Sequence, residues 1–166
     1  DESGTVFDEN SYKSSDAVNS LKWDRKATYS VVYNYYKGLI AFRKAHSALR
    51  MTKAEDIQNN LTFLEGLAPN VVAYVINNSP NGETAKSICV IFNANKEPAT
   101  VNIPDGEWNV YVKGDKAGTS VLETISGGDI TVEPISAMIL VMEDMVTNTT
   151  GSAENTAEDT PAEDAN

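Results

Sequence analysis

The order of apolar and polar positions divides the chain into a weakly patterned start, one helical stretch and a long β-patterned region. Through residues 1–27 no period is sustained, and Gly4, Asn10, Ser11, Ser14, Ser15, Asp16 and Ser20 mark loop. Leu21 and Trp23 are the large apolar anchors expected for it. The stretch ATYSVVYNYYKGLIAFRKAHSALR follows. Tyr29, Val32, Tyr33, Tyr36, Leu39 and Ile40 recur there at steps of three and four, which draws one apolar stripe along a helix. Thr28 is placed to cap its N-terminus. Arg43, Lys44 and His46 bring positive charge to its C-terminal end, where the helix dipole favours it. Burying six such side chains stabilises by roughly 1.5–3 kcal/mol each before entropy is set against it. Within this chain only the following sheet offers a surface for that stripe, so the pattern points to a missing upstream partner.

From about residue 55 the period changes to two. Strand candidates are 61–67, 71–78, 87–95, 99–104, 107–114, 120–125, 129–134 and 136–142. The turn signals SPNGE, NANKEP, PDG, KGDKAG and SGGD separate nearly all of them, and SGGD reads as a hairpin turn. Eight short strands without an intervening helix predict a mainly β protein, a loop and one long helix followed by an antiparallel β-sandwich. Residues 147–166 hold no large apolar side chain and read as a disordered acidic tail or linker.

Charge sharpens this division. The net charge is −11, and the last twenty residues carry five carboxylates with no Lys or Arg, which leaves −6 on the rest. An acidic surface repels phosphate backbones and anionic lipids, so nucleic acid is excluded as a partner, whereas neutral ligands such as sugars are unopposed. No apolar stretch approaches the ~20 residues of a membrane span. A start at Asp1 rather than Met implies a mature or excised terminus.

Candidate chemistry is sparse. The single His46 and single Cys89 belong to different elements, which argues against a zinc site and against a disulfide within the chain. Cys89 lies in the apolar run SICVIF and reads as a small core hydrophobe. His46 has no partner for nucleophilic catalysis and reads as a capping charge. DENSYKSSD superficially resembles a calcium loop but lacks its glycine and terminal glutamate, so it reads as a solvated polar loop. Asp8 with Glu9, or Asp16 with Asp24, lack the rigid scaffold that holds a glycosidase carboxylate pair about 5–10 Å apart. Trp108 and Tyr111 fall on opposite faces of one strand, which favours a packed ring on one face and a rim contact on the other, an exposed sugar platform being the alternative.

The blocks NSYKSSDAVNSLKWDRK, YYKGLIAFRKAHSALRM, VVAYVINN, ICVIFNANKEPATVNIPDGEWNVYVKGDKAG and VEPISAMILV, in this order, resemble the C-terminal end of type I pullulanases. These are debranching glycoside hydrolases of the α-amylase superfamily. The resemblance covers roughly Asp8 to Met142. It implies that residues 1–54 hold the final loop and last helix of a (β/α)8 catalytic barrel, that 55–146 form the β-sandwich called domain C, and that 147–166 are the tail or linker. It implies retaining hydrolysis of α-1,6 glucosidic branches by the parent enzyme. The family's nucleophile Asp, acid/base Glu and third Asp stand on barrel strands that precede this segment, so no catalytic residue is assigned here. The segment then acts mainly as a stabilising domain. The alternative is a carbohydrate-binding sandwich for starch-type glucans. The opening loop would lie on the catalytic face of the barrel, with Asn10, Ser11, Tyr12, Asp16 and Asn19 as substrate-binding residues. The partner implied is an α-glucan (pullulan, amylopectin or limit dextrins), reached through the parent enzyme. No cofactor or metal is expected in this segment, calcium being reserved for the rest of the enzyme. The Thr/Ala/Glu-rich end suggests an extracellular or cell-surface protein, with the bacterial cytoplasm as the alternative.

Overall fold

A computed structural model describes residues 9–143. The predicted tail at 147–166 lies outside the described residues. The loop at the start holds a 3-10 turn, Ser11–Lys13, and two single-turn helices, α1 (Asp16–Asn19) and α2 (Arg25–Thr28). Leu21 and Trp23 do not anchor it, because both are exposed, at 72% and 75%. The long helix α3 (Ser30–Ala45) follows directly. Thr28 does not cap it. Its hydroxyl reaches back to the Asp24 carbonyl at 3.3 Å, and the chain turns from α2 into α3 at Tyr29 (φ −110°, ψ 43°). The helix stops where His46 turns extended, its N–H held by the Phe42 carbonyl at 3.0 Å. A 3-10 turn (Ser47–Arg50) and α4 (Ala54–Asn60) then lead into the sheet.

The strands are β1 (Leu61–Phe63), β2 (Val71–Asn77), β3 (Ala85–Asn93), β4 (Ala99–Lys113), β5 (Lys116–Ala117), β6 (Glu123–Val132) and β7 (Ser136–Glu143). They form one antiparallel sheet in the order β1-β2-β3-β7-β4-β5, with β6 paired to β4. Two of the sequence's strand boundaries are not chain reversals. Ile103 opposes Gly128 and Glu107 opposes Ser126, so β4 carries two extra residues at the PDG signal while β6 runs through SGGD unbroken. SGGD is therefore no hairpin turn. The β4–β6 ribbon bends there as a unit, and Gly127 is required at the bend because a Cβ on it would overlap the Pro104 carbonyl.

The bend folds the sheet onto itself. Ala99, Val101, Ile103 and Val132 from the turned-over ribbon pack with Ala73, Val75, Cys89, Ile91 and Leu140. Trp108 sits fully enclosed in that layer and donates its indole N–H to the Pro104 carbonyl at 2.8 Å. The opposite face of the sheet buries Ile76, Ile88, Val90, Ile139 and Val141 against Phe42 of α3 and Ala48. With both faces covered, β3 is buried continuously from Ser87 to Ile91 rather than alternately.

Candidate functional site

The opening loop holds itself together. The side-chain amide of Asn19 donates to the carbonyls of Ser11 (2.7 Å) and Ser14 (3.1 Å), and the Ser14 N–H donates to Ser11 at 3.0 Å. Asn19 and Ser11 are thus brought together, with the Asn19 amide spent on backbone. Tyr12 is 84% exposed, and Asn10 and Asp16 are exposed on the same short segment. The groups turned outward are a phenol and a carboxylate, a set able to hydrogen-bond hydroxyls.

Helix α3 carries two apolar faces. Tyr35, Leu39 and Phe42 pack on the sheet, and Gly38 lets the helix approach β5 so closely that a Cβ would overlap the Ala117 carbonyl. The stripe read from the sequence is the other face. Tyr29, Val32, Tyr33, Tyr36 and Ile40 are all between 42% and 63% exposed, and only Leu39 of the six belongs to the buried side. Lys26 covers part of it, its ammonium 4.5 Å above the Tyr33 ring. Val31, Val32 and Tyr35 also form one wall of a groove of about 480 Å³, whose other wall is Phe92, Ala94, Ile135 and Ala137.

The C-terminal end of α3 is locked by Glu83, a residue that no local pattern singles out. It is buried, and its carboxylate accepts from the N–H groups of Ala48 (3.1 Å), Thr84 (3.0 Å) and Ala85 (3.1 Å). His46 Nδ1 stands 3.2 Å from Glu83 Oε1 and must carry the proton, because a carboxylate only accepts. Burial pushes the Glu83 carboxyl up, but the Ala48 and Ala85 N–H groups and the His46 ring outweigh it, and the pKa settles below the ordinary value. The His46 ring stacks on Phe42 at 4.2 Å and meets Tyr111 edge-on at 6.0 Å. His46 is thus a structural group, as its lone occurrence suggested. Asn81 completes the brace by donating to the Ser47 carbonyl at 2.7 Å.

Strand β4 carries a packed ring on one face and no aromatic platform on the other. Trp108 is enclosed, and Tyr111 packs on Phe42 at 5.5 Å with its hydroxyl directed to Glu143 at 3.2 Å. Neither ring is free to stack on a sugar. Cys89 is fully buried, and burial pushes its thiol up to about 12, as suits a core hydrophobe.

This arrangement, a folded antiparallel sheet with one helix laid on its back, has close relatives. Residues 57–116 match the family model described as the all-beta domain of pullulanase. The sheet is similar to the all-β domain of pullulanases. A pullulanase from Bacillus acidopullulyticus superposes with a TM-score of 0.77 at 40% identity, over 81% of this chain and 16% of that one. The type I pullulanase of Bacillus subtilis strain 168, solved in complex with maltose, superposes with a TM-score of 0.71 at 30% identity, over 80% of this chain and 18% of that one. In sequence, the curated pullulanase of Bacillus subtilis strain 168 is 38% identical over 97 residues, which is 58% of this chain and 13% of that protein. The chain therefore spans less than a fifth of the length of these pullulanases.

Proposed function

We propose that this chain is the C-terminal part of a pullulanase-type hydrolase of α-1,6 branches in α-glucans, and that it stabilises a catalytic barrel rather than reacting itself. The observation that carries this reading is the bare stripe of α3. A helix that buries one face on its own sheet and leaves Tyr29, Val32, Tyr33, Tyr36 and Ile40 in water has a second surface to meet. The likeness to small parts of much longer pullulanases supports a barrel as that surface. In this reading α3 is the barrel's last helix, and the loop with Asn10, Ser11, Tyr12, Asp16 and Asn19 borders the substrate cleft. Asn19 positions Ser11 there, and Tyr12 and Asp16 meet the sugar. The maltose bound to the Bacillus subtilis relative supports an α-glucan as the substrate class. The parent acts outside the cell or at its surface, a placement supported by the Thr/Ala/Glu-rich composition of residues 147–166.

Two measurements on one gene test this. The reading frame immediately upstream of the Asp1 codon is expected to encode barrel strands bearing the carboxylates. The full-length product should then release reducing sugar from pullulan while the 166-residue chain releases none. A frame without a barrel, or hydrolysis by the isolated chain, overturns the proposal.

A further inference from the structure

A polar cleft of about 580 Å³ opens where α4 and β1 meet the β2–β3 turn. Its lining includes Asn59, Thr62, Asn77, Asn78, Ser79 and Lys86, with no carboxylate among the lining residues. That is unusual on a chain with net charge −11. Two backbone irregularities shape it. Ala85 opposes Glu143 and Ser87 opposes Met142, so Lys86 is the extra residue of a β-bulge, the device that re-aims a side chain. Asn78 and Ser79 both adopt left-handed backbone, with φ of 64° and 46°, a conformation that non-glycine residues hold mainly where the surroundings demand it.

The unused hydrogen-bonding groups define the ligand. Asn77 Oδ1 accepts from Ser87 Oγ at 2.9 Å, which leaves its NH2 to donate. Asn78 Nδ2 donates to Asn60 Oδ1 at 3.2 Å, which leaves its carbonyl oxygen to accept. Among the described residues the side chains of Asn59, Thr62 and Lys86 have no hydrogen-bond partner. The cleft thus offers interspersed donors and acceptors and one cation. Hydroxyl groups, each both donor and acceptor, match that pattern. An anion would leave the acceptors facing like charge. The volume falls in the range of ligand sites, about 300–1,000 Å³.

We propose that this cleft binds a neutral oligosaccharide, and that on the reading above its ligand is a segment of α-glucan. With no aromatic floor each contact is weak, and the site gains its effect on polymers, where a second point of attachment raises the effective concentration.

The test is titration of the 15N-labelled 166-residue chain with maltohexaose, cellohexaose and inorganic phosphate. Maltohexaose is expected to move the side-chain amide signals of Asn59, Asn77 and Asn78 saturably and more than cellohexaose does. The Asn59→Ala/Lys86→Ala variant, which removes no side-chain hydrogen bond or ion pair within the protein, should weaken binding at least fivefold with the rest of the spectrum unchanged. No shift at these amides, an unchanged affinity in the variant, or a response to phosphate alone overturns the site. Equal response to both sugars overturns the α-glucan assignment. Whether the full-length enzyme cleaves pullulan at all is decided by the barrel's carboxylates and not by this cleft, so failure here and failure of the parent reading are separately visible.

Discussion

At the scale of single residues, Glu83 joins the end of the helix to the start of β3. Three backbone N–H groups and one imidazole converge on its carboxylate in a buried place, so removing its charge leaves donors facing a poorer acceptor. Glu83→Gln keeps the shape but turns an NH2 group toward donors. It is expected to lower unfolding stability by about 1.5–3 kcal/mol at pH 7, measured by urea melts. The pH dependence has a defined sign. The folded pKa of Glu83 lies below its ordinary value of 4.5, so its contribution is fully present above that value and is lost as pH falls through the folded pKa. The gap between wild type and variant should therefore narrow on acidification. A gap that stays constant from neutral to acid pH would show that Glu83 acts by packing alone.

At the scale of elements, α3 depends on one glycine. Alanine normally improves a helix interior by up to about 1 kcal/mol over glycine. At Gly38 a Cβ would overlap the Ala117 carbonyl, which belongs to backbone and has little room to move. Gly38→Ala is expected to destabilise by about 1–3 kcal/mol in thermal or urea unfolding, as overpacking does. A stabilised variant would mean that α3 does not rest on β5. This contact also shows where the sequence stopped being legible. The strands were readable because alternate apolar positions survive in β2 and in both halves of β4. The bend of the β4–β6 ribbon was not, since PDG and SGGD carry the same glycine and turn residues whether a chain reverses or bulges. Helix α4 (Ala54–Asn60) escaped notice because Ile57 is its one large apolar residue, too few for a period. In α3 the tyrosine-rich stripe outweighed the shorter series Tyr35, Gly38, Leu39 and Phe42, although the latter meets the sheet. The opening loop was legible as polar, but not the turn of Asn19 back on Ser11 and Ser14. The pairing of His46 with Glu83 spans 37 positions, which no local pattern encodes.

At the scale of the whole molecule, the sheet has its core on both faces while the helix has a core on only one. The exposed side of α3 runs onto the groove bounded by Phe92 and Ile135, so apolar surface continues from helix to sheet. Such a surface contributes nothing to the stability of the isolated chain and a great deal to any complex that covers it. Val32→Ser with Tyr36→Ser separates these two roles. Both positions are more than half exposed, and serine is close to valine and tyrosine in helix propensity. Urea melts of the 166-residue chain should therefore shift by no more than about 0.5 kcal/mol per substitution. Binding of an apolar dye such as ANS should fall, because the patch that attracts it has been made polar. In the full-length protein the same pair should lower the melting temperature, since the stripe would there be buried against the barrel. Equal, small effects in both contexts would mean that this face of the helix stays in water throughout, and the domain would then need another way to hold its partner.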